Sequence, residues 1–264
     1  HVWDSETIAA FGQATWSVSD SLRFTGGLRW TQEDKGADLF AQTNSTAPSV
    51  ALAGRSLLDS VFAPVDQKFD RTSEGVDWLA NISYDLNDDV MLFAAVSTGT
   101  KSGGFNGANG DPAEREFDDE ESINYELGIK SEWLENTLRV NATAFQSTFE
   151  DYQTQVQQAS GAGSIVSNEG DVETSGIDLN IEAVPLPILT LSAGVLYLDK
   201  AETSAGPNKG QKLTFAPEFS GTVAATFMFP VADGGLFVRT DYSYMGEHIT
   251  NTANPIEQTR KTLN

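Results

Sequence analysis

The sequence predicts an all-β protein, an antiparallel up-and-down transmembrane β-barrel with about ten strands in these 264 residues. Three observations support this fold class. Apolar and polar residues alternate through most of the chain, short connections alternate with long ones, and charged residues occupy the face opposite the apolar one. No run of about 18 apolar residues is present, so the sequence contains no candidate transmembrane helix.

Alternation with a period of two residues is clearest from Ser122 to Phe145. Ile123, Tyr125 and Leu127 are apolar, whereas Asn124 and Glu126 between them are polar. Period two over seven or more residues indicates a strand with one apolar face, and no segment shows a helical period of 3.6. The predicted strands are residues 5–17, 21–33, 68–85, 90–100, 121–133, 137–152, 172–184, 188–201, 214–229 and 235–249.

The connections between these strands alternate in length. The tight ones are residues 18–20, 87–89, 134–136, 185–187 and 230–234. The long, polar ones are residues 34–67, 101–120, 153–171 and 202–213. Adjacent strands are therefore expected to be antiparallel, with every tight turn at one end. Outer-membrane barrels have this layout, with short periplasmic turns and long extracellular loops.

Two soluble folds also contain alternating strands. Strands of a β-sandwich typically have about 5–6 residues, and its connections do not sort by length in this way. A propeller would show a repeat of about 40–50 residues, and none is visible. The strands predicted here have roughly 10–18 residues, enough for the about 9–11 that a tilted membrane strand needs.

Charged residues lie on one face of the predicted strands. Such a set cannot be buried in a packed soluble core without a large desolvation cost, whereas a wide, hydrated lumen can hold it. The pattern therefore favours a large barrel over a small one filled with side chains. The set consists of Arg23, Arg29, Asp77, Glu126, Lys130, Arg139, Asp178, Glu182, Arg239 and Asp241.

Aromatic residues mark the membrane boundary in this prediction. Trp16, Tyr84, Trp133 and Phe229 share the apolar face and lie close to tight turns, as in an aromatic belt at the periplasmic interface. In the hairpin of residues 122–145, the residues expected to face lipid are Ile123, Tyr125, Leu127, Ile129, Leu138, Val140 and Ala142. Those expected to face the lumen are Asn124, Glu126, Lys130, Arg139 and Asn141.

The composition excludes several functions. The chain has 16 Lys and Arg against 38 Asp and Glu, a formal net charge of −22, which argues against a nucleic-acid partner. It has no Cys and only two His, His1 and His248. A cysteine-ligated metal is therefore excluded, and a His-based metal site or a Ser-His-Asp triad would depend on His248 alone. We predict no catalytic residues, metal site or cofactor, and no enzymatic activity.

Several motifs resemble one family. The run FAAVSTGTKSGGFNG (93–107), followed after a polar loop by FDDEESINYELGIKSEWLENTLRVNATAFQSTFEDYQTQ (117–155), resembles the barrel of bacterial TonB-dependent outer-membrane receptors. The segments AFGQATWSVSDSLRFTGGLRW (10–30) and VSNEGDVETSGIDLNIEA (166–183) are similar to that barrel as well. The resemblance covers nearly the whole chain in order.

The resemblance implies uptake of a scarce ligand across the outer membrane of a Gram-negative bacterium. The implied ligand is an iron–siderophore complex, cobalamin or a carbohydrate, and the implied partners are lipid, lipopolysaccharide and TonB.

Family members carry an N-terminal plug domain and a TonB-box segment, and neither is found in residues 1–264. The family barrel has about 22 strands, and Lys261 to Asn264 stand where a further strand should begin. We therefore expect a partial barrel domain without its plug and its C-terminal strands, contacting TonB only through the missing N-terminal region. The alternatives are a passive porin and a small ten-stranded outer-membrane barrel.

Three motifs are candidate sites. Residues 98–110 are rich in glycine but lack the Gly before Lys101 that a phosphate-binding loop needs, so they predict a strand end opening into an extracellular loop, where glycines permit tight backbone turns. Lys101, Phe105 or Asn106 could contact the imported ligand there.

Residues 85–89 begin like a calcium loop, but Val90 replaces the required Gly, which predicts a turn. Residues 117–121 form a carboxylate cluster, expected to be solvated or to bind a divalent cation loosely and bridge to lipopolysaccharide. The sequence alone assigns no ligand-binding residue.

Overall fold

A computed structural model describes residues 2–41, 51–52, 55–56, 65–107, 114–157, 164–232, 234–250 and 257–264. These residues form one eleven-stranded antiparallel sheet and three small two-stranded hairpins, with no α-helix. Accordingly, no helix in the described part of the chain is long and apolar enough to cross a membrane. The strands are β1 (Val2–Ser17), β2 (Leu22–Ala41), β3 (Ala51–Leu52), β4 (Arg55–Ser56), β5 (Val65–Asn87), β6 (Val90–Lys101), β7 (Gly104–Phe105), β8 (Glu116–Phe117), β9 (Glu120–Trp133), β10 (Leu138–Glu150), β11 (Gln153–Gln157), β12 (Ser164–Asn168), β13 (Val172–Leu186), β14 (Leu189–Thr203), β15 (Phe219–Val231), β16 (Gly234–Ile249) and β17 (Glu257–Leu263).

The large sheet confirms the predicted fold class. Its order, β1-β2-β5-β6-β9-β10-β13-β14-β15-β16-β17, places each strand beside the next large strand along the chain. One more strand is present than the alternation identified, because Glu257–Leu263 pairs with β16. Its sequence, EQTRKTL, carries no alternating apolar residues. Within the described residues β1 pairs only with β2 and β17 only with β16, so each has one free edge.

The tight turns form where the sequence predicted them, and three of them have a visible local cause. At the β5–β6 turn the Asn87 side-chain oxygen accepts a hydrogen bond from the Asp89 amide (2.9 Å). At the β1–β2 turn the Ser19 hydroxyl accepts from the Leu22 amide (3.1 Å). At the β9–β10 turn, residues 134–136 have φ values of 55°, 56° and 65°, a left-handed turn between two strands. All these turns lie at the same end of the sheet.

The register separates two faces of the sheet. Directly opposed residues point to the same side, so the pairing of Trp16 with Phe24, and of Phe24 with Ile82, continues one row across the strands. Ala94, Leu127, Ala144, Ile177, Tyr197 and Phe219 complete this row. We call this side the apolar face. Trp16, Tyr84, Trp133 and Phe229 all lie on it, as predicted, with 69%, 45%, 45% and 38% of their surfaces exposed.

The opposite side, the polar face, carries all ten charged strand residues that the sequence placed together. Glu126 is opposite Ala95 and Phe145, and Lys130 is opposite Met91 and Asn141. The ion pairs on this face link neighbouring strands: Arg23 donates two hydrogen bonds to Asp85 (2.6 and 2.7 Å), and Arg139 pairs with Glu132 (2.8 Å). A sheet with an exposed apolar surface over the part nearest the tight turns and a charged surface on the opposite side fits lipid on one side and water on the other.

Strands β2 and β5 extend well beyond the apolar part of the sheet. Their apolar-face residues change at Trp30 and Val76 from apolar to polar, with Gln32, Asp34 and Glu74 next along the strands. The extension projects from the end opposite the tight turns. It carries the small hydrophobic core of the described residues, in which Ala37, Leu39 and Phe105 are buried and Phe69 packs against them. The extension therefore supports the loops at this end, which we call the mouth.

Candidate functional site

Residues 102–107 and 114–119, the described parts of one connection and here called the 102–119 loop, fold onto the polar face of β2 and β5 at the mouth. Lys35 Nζ donates to Ser102 Oγ (2.6 Å) and to the Gly103 carbonyl (2.8 Å), and Ser102 Oγ donates to Glu33. Lys35 and Glu33 also form an ion pair at 3.4 Å. Both lie on the strand extension, so the wall of the sheet supplies the anchor for the start of the loop.

The end of the same loop is held by Arg71. Its guanidinium donates to Asp118 (3.1 Å) and to Asp119 (3.0 Å), and Asp119 also accepts from Ser73 Oγ (2.7 Å) and the Gly103 amide (2.6 Å). Burial alone would raise the pKa of Asp119, but these hydrogen bonds and the charge of Arg71 outweigh it and hold that pKa below its ordinary value. Asp119 is therefore an ionised group that joins the two ends of the loop to the wall.

Phe105 and Arg115 of this loop are buried against the sheet. The Phe105 ring lies 5.6 Å from Phe69 and 6.5 Å from Trp3, measured between centroids. Arg115 is 2% exposed, and its Nη1 donates to Gln67 Oε1 (2.8 Å). Its Nε and Nη2 have no hydrogen-bond partner in the described structure.

The β11–β12 hairpin contacts the 102–119 loop and is joined to it by three carboxamide side chains. Asn106 Nδ2 donates to the Val166 carbonyl (2.8 Å), and its Oδ1 accepts from the Val166 amide (2.8 Å). Gln153 Nε2 donates to the carbonyls of Asp118 (2.9 Å) and Ser102 (3.2 Å). Asn168 Oδ1 accepts from the Asp118 amide (2.7 Å). Asn106 and Gln153 are 7% and 8% exposed, so these hydrogen bonds are shielded from water.

A cleft of about 670 Å³ opens on the other side of the hairpin, toward residues 203–215. Its lining is mainly neutral and polar, including Thr154, Gln155 and Gln211. Two aromatic side chains, Tyr152 and Phe215, also line it. Phe215 has a φ of 56° and is 62% exposed. Burial and the charge of Glu120 raise the pKa of Tyr152, so its hydroxyl is a hydrogen-bond donor at neutral pH.

The three residues proposed as ligand contacts occupy different environments. Lys101 is exposed and lies 3.5 Å from Glu120. Phe105 and Asn106 are buried inside the loop packing, where Asn106 also donates to the Glu114 carbonyl (2.8 Å). The structure thus gives Phe105 and Asn106 structural contacts, and of the three only Lys101 presents its side chain to the solvent of the mouth.

The carboxylates of residues 117–121 do not converge on one point. Asp118 and Asp119 pair with Arg71, whereas buried Glu120 accepts from the Gln153 amide (2.7 Å) and lies next to Lys101. In the described residues, no group of three or more His, Asp or Glu has a geometry that could hold a metal ion. Sequence analysis identified this cluster but not its cationic partner, although Arg71 has the polar-face spacing of its strand. The roles of Gln153 and Asn168 had no sequence signal, since they depend on two loops meeting.

The other two features singled out from the sequence have structural roles. Residues 85–89 end β5 and form its turn, as predicted. His248 is buried, with Nδ1 2.8 Å from the Gly246 carbonyl and its ring 6.0 Å from that of Phe215. At the opposite end from the mouth, a cleft of about 770 Å³ on the polar face is lined by Asp85, Lys130 and Arg139 among others.

The whole arrangement matches one protein family. A model of the β-barrel of TonB dependent receptor-like proteins matches residues 1–263. The chain belongs to the TonB-dependent receptor family. The resemblance seen in the sequence motifs is thereby confirmed, and the chain corresponds to the β-barrel region of such receptors.

Two relatives that are similar to this chain in sequence are named as receptors. The pesticin receptor of Yersinia enterocolitica is 24% identical over 262 residues, which cover 96% of this chain and 35% of the relative. The probable TonB-dependent siderophore receptor PiuA of Acinetobacter baumannii is 25% identical over 186 residues, 68% of this chain and 22% of the relative. The chain therefore spans about a third or less of the length of these relatives.

Solved structures share the fold. The ferric yersiniabactin uptake receptor FyuA from Yersinia pestis superposes with a TM-score of 0.75 at 22% identity, covering 98% of this chain and 37% of that one. The siderophore receptor PiuA from Acinetobacter baumannii gives a TM-score of 0.73 at 18% identity, covering 98% and 36%. At these identities the likeness shows a common fold, and the ligand has to be argued separately.

Proposed function

We propose that this receptor chain forms part of the barrel wall of an outer-membrane transporter that imports a metal chelate, an iron–siderophore complex being the leading case, with energy supplied through TonB. Family membership and the separation of the two faces support this reading. The relatives favour a chelate over cobalamin or a carbohydrate, since they include a siderophore receptor and the metal-pseudopaline receptor CntO of Pseudomonas aeruginosa.

The observation that carries the proposal is the separation of apolar and charged residues in the apolar part of the ten large strands from β1 to β16. On β17 the separation ends, since Lys261 lies opposite Tyr244 of the apolar face. An apolar face exposing residues such as Leu28 (63%) and Leu127 (66%) suits the hydrocarbon of a membrane. A polar face with ion pairs between strands suits a hydrated lumen. Above the apolar part, the polar residues of the strand extension would meet lipopolysaccharide.

The chemistry of the mouth fits binding better than catalysis. Glu33 pairs with Lys35, Asp118 and Asp119 with Arg71, and Glu120 with Lys101. The buried carboxamides are committed to backbone groups. The remaining surface of the cleft beside β11 offers neutral donors, acceptors and aromatic rings, which suit contacts with a chelate. We therefore assign the protein a transport role and no enzymatic one.

Uptake in living cells tests the proposal. A strain lacking the complete gene and a complemented strain would be grown under iron limitation and supplied with a panel of radiolabelled iron–siderophore complexes. We expect loss of uptake of at least one chelate in the deletion strain, and equal loss when TonB is removed. Uptake that survives the removal of TonB would instead identify a passive porin. Normal uptake of every chelate but impaired uptake of cobalamin or an oligosaccharide would contradict the proposed ligand class.

A further inference from the structure

Two loops at the mouth share one set of hydrogen bonds. In a barrel whose long connections act as separate lids, each loop would satisfy its own polar groups or expose them to water. Here, carboxamides of one loop satisfy backbone groups of the other in both directions. Asn106 of the 102–119 loop bonds both backbone groups of Val166, and Asn168 of the hairpin bonds the amide and carbonyl of Asp118.

We propose that the 102–119 loop and the β11–β12 hairpin form one fixed block, clasped by Asn106, Gln153 and Asn168 and anchored to the strand extension, which permanently narrows one side of the mouth. Ligand-driven movement at the mouth then arises in other loops. The three carboxamides are positioning residues, since they act on the loops and not on the ligand directly.

Gln153 is the central residue of the three carboxamides, because its side chain contacts both ends of the 102–119 loop. Its Nε2 lies 3.3 Å from the Lys101 carbonyl and 3.2 Å from that of Ser102 at the start, and 2.9 Å from that of Asp118 at the end. Its own amide donates to the buried carboxylate of Glu120. Opening either loop alone would leave several of these buried groups unpaired. Each hydrogen bond that the open state lacks reduces the fraction of molecules with an open loop about fivefold.

The anchor to the wall makes the block stationary. Lys35 and Glu33 hold Ser102, Arg71 and Ser73 hold Asp119, and Phe105 is buried against Ala37 and Leu39. Gly103 fits only because it has no side chain, since a Cβ there would collide with the Phe117 carbonyl oxygen and lie 2.8 Å from Arg71 Cζ. A segment fitted this closely to two strands cannot swing as a lid without breaking all of these contacts together.

Hydrogen–deuterium exchange tests whether the loops open together. The protein expressed from its complete gene would be measured in detergent, comparing Gln153→Ala with Gln155→Ala, a matched control because Gln155 is exposed on the same strand. We expect Gln153→Ala to speed exchange about tenfold or more both in residues 102–106 and in residues 164–168, and Gln155→Ala to leave both unchanged. Faster exchange in the hairpin alone would show two independent loops and overturn the proposal. Should Gln153→Ala fail to fold, Asn168→Ala provides the same comparison.

Distances between the two loops give a second readout. Residues 1–264 contain no cysteine, so spin labels can be attached at Glu116→Cys and Gln155→Cys, both exposed, after any cysteine elsewhere in the gene is replaced by serine. A fixed block gives one narrow distance distribution, which Asn106→Ala broadens. A broad or two-peaked distance distribution in the labelled protein that keeps Asn106 would contradict the inference. Neither measurement requires a ligand, so failure of the proposed import would leave this result interpretable.

Discussion

Gly103 and Gly128 show how single residues of the family-like motifs are used. Neither has a positive φ, so left-handed backbone does not explain them. Gly103 leaves space for the loop to approach Phe117 and Arg71. Gly128 leaves space on the polar face for the ring of Phe93, over which Lys130 Nζ lies at 5.4 Å from the centroid. The sequence predicted that the glycines of residues 98–110 permit tight turns. At Gly103 the reason is different, because the backbone there lies too close to Phe117 and Arg71 for a side chain to fit.

The Gly128 environment gives a prediction about stability. A Cβ at this position would overlap the Phe93 ring and lie 2.9 Å from the Ala142 carbonyl oxygen, so Gly128→Ala should destabilise the barrel by about 1–3 kcal/mol. Gly26→Ala is the control, since no atom lies within 4 Å of its Cβ position, and we expect a change within about 0.5 kcal/mol. Urea unfolding of the detergent-solubilised receptor measures both. Equal midpoints for the two variants would show that the Phe93 ring moves aside freely.

Asp119 makes the attachment of the 102–119 loop dependent on pH. Its pKa is lower in the folded protein than its ordinary value of 3.8, so its stabilising effect is complete above that value and is lost as the pH falls through the lower, folded value. We expect a spin label at Glu116→Cys to become more mobile only below about pH 4. Asp119→Asn should increase the mobility already at pH 7 and weaken the pH response. Asp118→Asn should have a smaller effect, because the Asp118 side chain is 82% exposed. A label whose mobility at pH 7 is unaffected by Asp119→Asn would disprove this role.

At the scale of one strand, β9 provides a direct test of the two faces. Leu127 and Glu126 are neighbours that point to opposite faces. Leu127→Arg would place a charge in lipid, at a cost of about 2–4 kcal/mol near the middle of the membrane, whereas Glu126→Arg would leave a charge in the lumen. We expect Leu127→Arg to lower the urea midpoint and the amount of receptor inserted in the outer membrane, and Glu126→Arg to have a much smaller effect. The reverse order would mean that the faces are assigned the wrong way round.

Strands with one apolar face could be predicted from the sequence, and strands without one could not. β9 and β10 alternate clearly because one face meets an apolar surface, and the left-handed turn between them was found at residues 134–136. β17 was missed because backbone pairing with β16, rather than side-chain burial, defines it. The extensions of β2 and β5 were partly assigned to a loop because their apolar residues, Ala37, Leu39 and Phe69, lie on the polar face and do not continue the apolar one.

The site was less predictable than the wall. Residues 98–110 and 117–121 were singled out from the sequence, and within their described parts Phe105 and Asn106 serve the packing of the loop. The alternation along β5 could have identified Arg71, because it shares the parity of Asp77. Contacts such as that of Gln153 with Asp118 join residues far apart in sequence, and no local pattern encodes them.

For the whole molecule, the two free edges predict how the chain behaves in isolation. β1 is 16 residues long and exposed throughout, and among the residues that the structure describes nothing pairs with the backbone groups along one of its sides. Unpaired strand edges recruit other strands, and in an apolar medium each unsatisfied backbone group costs several kcal/mol. Residues 1–264 alone in detergent should therefore self-associate, whereas the receptor from the complete gene should not. Size-exclusion chromatography with light scattering measures this, and a monodisperse monomer of residues 1–264 would refute it.

The number of strands in the sheet also fixes how a barrel containing it can close. Strand direction reverses at each step of an antiparallel sheet, so the first and the eleventh strands, β1 and β17, run in the same direction. The described sheet could join its own edges only through a parallel pair. An all-antiparallel barrel needs an odd number of additional strands between β17 and β1, and the 22 strands typical of plugged outer-membrane transporters meet that condition with eleven more.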